Sequence, residues 1–328
     1  MTGMAALEIR ELGSSGVQVT RLGLGTGPLG GLFTPVGDEQ ARATCDAAWE
    51  LGVRFVDTAP HYGAGLAERR VGAALRERPR DELVLSTKVG RLLSPDAGED
   101  DPAFTEPTGL RRVWDFSRDG VRRSLEESLE RLGLDRVDIA LVHDPDDHLD
   151  TAIGEALPAL AALRDEGVIR AIGAGMNAAA PLERIVREAD VDCVLAAGRL
   201  TLLDQSAVPG LLPLCRERGV GVIAAGVFSS GILADPGPDA HHDYAPAAEE
   251  VRRRVAAIAA VCERHDVPLA TAALALPRLH DDVAAVLVGA RSPEEVRANL
   301  DAFGADVPAE LWRDLVAEGL LAEAAAPV

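Results

Sequence analysis

Residues 53–90 read VRFVDTAPHYGAGLAERRVGAALRERPRDELVLSTKVG. Two short aliphatic runs, Phe55–Ala59 and Leu83–Val89, flank an amphipathic stretch, Ala67–Arg76, so the segment reads as strand, helix, strand. The same alternation continues in both directions. Predicted strands are Leu22–Thr26, Phe55–Ala59, Leu83–Val89, Val137–His143, Ile169–Gly175, Cys193–Gly198, Val220–Val227 and Val283–Val288. Predicted helices are Asp38–Leu51, Ala67–Arg76, Ser117–Leu132, Thr151–Glu166, Pro181–Glu188, Val208–Arg218, Glu249–His265 and Pro293–Phe303, several closed by a glycine such as Gly52, Gly133, Gly167 or Gly219. Eight alternations point to an α/β chain forming a single (β/α)8 TIM barrel over residues 22–303. A hairpin turning at Gly13–Gly16 precedes it, over about residues 7–21, and is expected to plug the barrel bottom. An extra helix, Pro308–Leu321, and a frayed tail, Ala322–Val328, follow, so residues 1–328 read as one domain. A doubly wound sheet is disfavoured: the glycines of LGLGTGPLGG lead into LFTPVGDEQ and not directly into a helix.

Composition narrows the partners. The 328 residues carry 53 Asp and Glu against 33 Lys and Arg, a formal charge of −20, with no basic run to offset it. Such a chain repels phosphate backbones and anionic lipid, so neither nucleic acid nor membrane is an expected partner. Cys45, Cys193, Cys215 and Cys262 form no CxxC or CxxH spacing, which suits reduced thiols and argues against structural zinc. The start MTGMAALEIRELG lacks a signal-peptide pattern, and no apolar run is long enough to span a bilayer. A cytoplasmic location is the expectation.

Lys88 is the sole lysine; all other basic residues are arginines. In a parallel barrel the C-terminal strand ends form the active face. Asp57 ends the second strand, Tyr62 lies in the loop after it, Lys88 ends the third and His143 ends the fourth. A tyrosine ionises at about 10, too high for neutral acid–base work unless a cation favours the phenolate. Lys88 is placed to supply that cation, Asp57 to hold the lysine charged, and His143 to bind a carbonyl oxygen or relay a proton. Taken singly, each has a plainer reading as turn residue, loop aromatic, strand-end cation or core histidine. Four compatible groups at three successive strand ends favour the chemical one.

The motifs VDTAPHYGAGLAERRVGAAL, STKVGR, FSRDGVRRSLEESLERLGLDRVDIALVHDPD, LRDEGVIRAIGAGMN, GVFSSGIL and VLVGARSPEEVRANL, in that order, closely resemble the aldo-keto reductase superfamily. The resemblance spans Leu12 to about Leu321. It implies Asp57, Tyr62, Lys88 and His143 as the catalytic tetrad, with Tyr62 the proton donor or acceptor. It also implies a nicotinamide cofactor, NAD or NADP, extended across the barrel mouth. The matching cofactor positions are Gly25 and Thr26, Met176 and Asn177, then Phe228, Ser229, Gly231 and Leu233, with Arg291, Ser292, Glu295 and Asn299 at the adenosine end. Glu295 would repel a 2′-phosphate and accept from a ribose hydroxyl, which favours NAD, whereas Arg291 favours NADP. Leu200 and Ala197–Gly198 depart from the common pattern, where relatives often carry Tyr and Gln-Asn.

Within the family the chain most resembles aldose 1-dehydrogenases acting on L-fucose, D-threo-aldoses or D-arabinose, together with pyridoxal 4-dehydrogenases. The implied reaction oxidises a sugar hemiacetal at C1 to a lactone. Alternatives are pyridoxal oxidation, general NADPH-dependent aldehyde or ketone reduction, and a non-catalytic cofactor-binding regulatory subunit. The loop Arg91–Asp115 is expected to overhang the pocket, bringing Phe104 and Trp114 toward substrate. The run HDPDDHLD suggests metal ligands, but no second cluster recurs at other strand ends, and Asp-Pro-Asp-Asp serves turns and caps equally well. No metal is expected. His241 and His242 read as part of a surface loop, and the family resemblance suggests a monomer or weak homo-oligomer.

Overall fold

A computed structural model describes residues 7–96, 98–99 and 101–326. The start of the chain and the last two residues of the expected tail lie outside them. Eight parallel strands close into a barrel: Leu22–Gly25, Phe55–Asp57, Val84–Val89, Ile139–His143, Ala171–Met176, Cys193–Ala197, Gly221–Ala225 and Val283–Gly289. Each strand pairs with the next in the chain, and the eighth closes on the first through Val286↔Leu22 and Gly289↔Gly25. All eight predicted strands are present.

The strands are aliphatic because both faces are covered. Outward residues such as Val56, Leu85, Ala140, Val142 and Ile172 join helix side chains in one cluster. Inward residues Phe55, Ile139, Leu141, Cys193, Leu195, Ile223 and Leu287 form another. The hairpin strands Ile9–Glu11 and Gln18–Thr20 pair antiparallel, and Val19 within them and Leu12 and Val17 beside them complete the inward cluster. The hairpin therefore seals the bottom and leaves the other end for chemistry.

Several expectations need correction. A helix over Leu269–Arg278, LATAALALPR, was not among those read from sequence. Thr271–Pro277 is buried without interruption, so no polar face gives it a helical period. The stretch after the fourth strand contains a π-helical segment, Ala152–Ala156, before the helix Leu157–Asp165. The loop after the third strand begins and ends as an antiparallel ribbon, Arg91–Ser94 on Arg111–Trp114. His241–His242 is likewise half of a small hairpin with Ala245–Pro246. The tail does not simply fray: Ala325 is buried and its carbonyl meets His280 Nε2 at 3.1 Å.

Among the described residues no helix is long and apolar enough to cross a membrane. No group of three or more His, Cys, Asp or Glu among them could hold a metal ion. All four cysteines are free and buried.

Candidate active site

The register of the second to fourth strands sets the site. Asp57 lies level with Ser86 and Lys88 level with Leu141, which places Asp57 and Lys88 near each other inside the barrel mouth. Lys88 Nζ donates to Asp57 Oδ2 at 2.6 Å, to Thr58 O at 3.0 Å and to Tyr62 Oη at 3.1 Å. Its three donors are thus all engaged. Ser86 Oγ donates to the other Asp57 oxygen at 2.6 Å, so both carboxylate oxygens have partners. Lys88 is 1% exposed and Asp57 3%. Such a pair persists in a dry site only because its hydrogen bonds are satisfied.

Tyr62 is fixed by its backbone. The loop 60–65 folds through Tyr62 N–H to Ala59 O and Gly65 N–H to Pro60 O, and Gly63 takes φ +60°. Gly30 approaches so closely that a Cβ there would lie 2.6 Å from the Tyr62 carbonyl carbon, which requires glycine. The Tyr62 ring lies 6.0 Å, edge-on, from the His143 ring and 6.3 Å from that of Phe104. Because the phenol oxygen accepts from Lys88, its own O–H remains free to donate to a substrate.

Electrostatics corrects one expectation. Burial pushes the Tyr62 phenol above its ordinary value, and the pull of Lys88 only partly offsets it. The lysine is therefore a counterweight to burial and does not by itself make the phenol acidic. Burial also opposes the Lys88 ammonium, but Asp57 and Tyr62 outweigh it and hold the lysine charged. His143 is held well below the usual imidazole range, by burial first and then by Arg91 and Lys88. It is neutral. Its Nδ1 is buried with no hydrogen-bond partner among the described residues, and its Nε2 lies 3.4 Å from Asp144 Oδ2.

A second tier of residues surrounds the tetrad and was missed in the sequence. Arg91 Nη1 and Arg112 Nη1 both donate to His61 Nδ1, at 3.0 and 2.9 Å, and His61 Nε2 faces Asp101 Oδ2 at 3.3 Å. Burial, with Asp101 opposing and the arginines assisting, pushes the His61 imidazole down to about 4. Arg91 Nη2 also donates to Asp144 Oδ2 at 2.5 Å. Burial pushes the Asp144 carboxyl up, and Arg91 opposes that. This network joins the ribbon after the third strand to the Tyr62 loop. Single charged residues in a loop carry no period, so only the fold reveals their convergence.

The mouth is walled by three loops. Leu32 bridges Phe104, and Phe33 N–H donates to Ala103 O at 2.7 Å. The Phe33 ring stacks on His241 at 4.6 Å, and the hairpin tip beyond it carries Asp243 and Tyr244, both left-handed. Phe104 sets its ring against His61 and Tyr62. Trp114 is half-buried, with the Arg91 guanidinium 5.7 Å from its ring.

The nominated cofactor positions divide by exposure. Asn177 is exposed at the end of the fifth strand, and its carboxamide makes no hydrogen bond among the described residues. Phe228 is half-buried, and the backbone from Ser229 to Gly231 is left-handed at each residue. Consecutive residues in such turns can direct N–H groups into a concavity suited to anions. Ser292 caps the helix Pro293–Gly304 by accepting from Glu295 N–H. Glu295 accepts from Arg291 N–H at 2.8 Å and Nε at 3.3 Å, and Arg291 Nη1 reaches Thr34 Oγ1. Asn299 Nδ2 donates to Gly289 O, and Gly25 sits beside Gly289 in the barrel register. Thr26, Met176 and Leu233 are buried, and Thr26 Oγ1 is committed to Asp57 O. The exposed carboxamide and the left-handed run are suited to the amide and phosphate groups of a dinucleotide.

The closed parallel barrel thus brings Asp57, Tyr62, Lys88 and His143 together at its mouth. Residues 21–317 match the model of the Aldo/keto reductase family. The chain is 45% identical over 317 residues to a D-threo-aldose 1-dehydrogenase of Pseudomonas sp, covering 94% of this chain and 96% of that protein. It is 41% identical to a pyridoxal 4-dehydrogenase of Microbacterium luteolum, covering 97% and 99%. Among solved structures, the holo form of an aldo-keto reductase from Bacillus halodurans superposes with a TM-score of 0.77 at 26% identity, covering 96% of each chain. The chain belongs to the aldo/keto reductase family.

Proposed function

We propose that the protein oxidises an aldose, as its cyclic hemiacetal, at C1 to the lactone, with Tyr62 taking the proton of the C1 hydroxyl. The observation that carries this reading is the 3.1 Å contact from Lys88 Nζ to Tyr62 Oη, backed by Asp57 at 2.6 Å. The names of the two relatives support the substrate class. A nicotinamide, when bound, would supply the acceptor for the C1 hydride. Neutral His143 holds the C1 oxygen through Nε2, and Lys88 stabilises the phenolate as Tyr62 accepts the proton. Asn177 would hold the carboxamide of a nicotinamide, and Phe228 would pack against its ring. Phe104, beside Tyr62, and Trp114, on the ribbon, contact the sugar.

Reduced nicotinamide formation with L-fucose, D-arabinose and pyridoxal, measured separately with NAD and NADP, tests the reading. Turnover of an aldose supports it. Turnover of pyridoxal alone would shift the substrate to that named for the second relative. Cofactor binding with no turnover of these or of simple aldehydes would favour a regulatory role.

NAD is the preferred dinucleotide in this account. Glu295 places a carboxylate at the adenosine end and engages Arg291 through two hydrogen bonds, so a 2′-phosphate meets negative charge with the nearby guanidinium already paired. Glu295→Gln keeps the acceptor that Arg291 N–H uses and removes the charge. It is expected to raise kcat/KM for NADP by about tenfold relative to NAD, the effect of about 1.4 kcal/mol. An unchanged ratio in steady-state assays would remove Glu295 from cofactor selection.

A further inference from the structure

Asp144 follows His143 directly, with a left-handed backbone at φ +40°. Aspartate and asparagine are among the few residues with a side chain that adopt that conformation, and here it turns the carboxylate back toward the His143 ring. Two contacts hold it: its N–H donates to Gly175 O at 3.0 Å, and Oδ2 accepts from Arg91 Nη2 at 2.5 Å. Oδ2 also lies 3.4 Å from His143 Nε2, the nitrogen that holds the C1 oxygen in the proposed reaction. Oδ1 accepts no hydrogen bond among the described residues, although the side chain is only 18% exposed. Arg91, 9% exposed, is fixed in turn by His61, and its Nε is buried with no partner among the described residues. A purely structural ion pair would need no spare carboxylate oxygen beside the catalytic imidazole.

We propose that the Arg91–Asp144 pair recognises the hydroxyl on the carbon next to the reacting one, with Asp144 Oδ1 accepting its hydrogen bond. The proposal rests on the aldose reading above and deepens it. An oxygen on C1 held at His143 Nε2 lies beside the carboxylate, and the 2-hydroxyl is one carbon further on. A carboxylate accepts and cannot donate, so it selects a hydroxyl there. A substrate lacking that group leaves one oxygen of this 18%-exposed carboxylate without it, and sites built for a hydroxyl discriminate strongly against analogues without it.

The test compares D-arabinose with 2-deoxy-D-erythro-pentose, which is D-arabinose without its 2-hydroxyl, for the unmodified protein and for Asp144→Asn. Asparagine tolerates the left-handed backbone, so the variant retains the local fold. The unmodified protein is expected to favour D-arabinose in kcat/KM by at least about tenfold. Asp144→Asn is expected to bring that preference close to one, chiefly through a higher KM for D-arabinose. Equal losses on both sugars, with the preference retained, would make Asp144 a purely structural group and overturn the proposal. Efficient turnover of both sugars without preference by the unmodified protein would overturn the proposal alone. Turnover of neither would overturn the aldose reading and the proposal with it.

Discussion

Tyr62→Phe is expected to lower kcat for aldose oxidation by about 10²- to 10⁴-fold, the range that a positioned acid or base supplies. The substitution removes only the hydroxyl. The ring keeps its place beside Phe104 and His143, and Lys88 keeps its bonds to Asp57 and Thr58. Cofactor affinity, read by fluorescence titration, should therefore persist. The pH dependence follows from the raised phenol. Oxidation requires the phenolate, so its rate should climb with pH toward the alkaline range, whereas carbonyl reduction requires the phenol and should fall there. Oxidation by Tyr62→Phe at the unmodified rate would remove Tyr62 from the mechanism.

Lys88→Met should damage stability as well as rate. It leaves the Asp57 carboxylate buried, with Ser86 Oγ as its remaining side-chain donor. Breaking a buried ion pair from one side costs about 3–5 kcal/mol, because the surviving charge has no counter-ion. Urea unfolding should show that loss. In Lys88→Met with Asp57→Asn the orphaned charge is gone, so much of the stability should return. Activity should not return, since Tyr62 has then lost the ammonium that offsets its burial. A double variant as unstable as the single one would show that the pair matters through shape and not charge.

The sequence made the strands legible because each is a short aliphatic run bounded by turn residues. The tetrad was legible because its members end or follow successive strands. Leu269–Arg278 was not, since a helix buried on all sides shows no alternation of apolar and polar residues. The His61, Arg91, Arg112 and Asp101 network was hidden for another reason. Its members come from two loops far apart in sequence, and charge alone does not say which arginine meets which acid. Asp144 was visible inside HDPDD but resembled ordinary turn chemistry until its neighbours were known. The direction of the Tyr62 shift likewise depended on burial, which sequence spacing does not show.

The most direct measurement follows the hydrogen on C1. D-arabinose carrying deuterium at C1 is incubated with the protein and NAD, and both products are examined by NMR. The expected products are the lactone and a reduced nicotinamide carrying the deuterium on its ring. Reduced nicotinamide without the label, or bound cofactor that is never reduced, would contradict hydride transfer from C1.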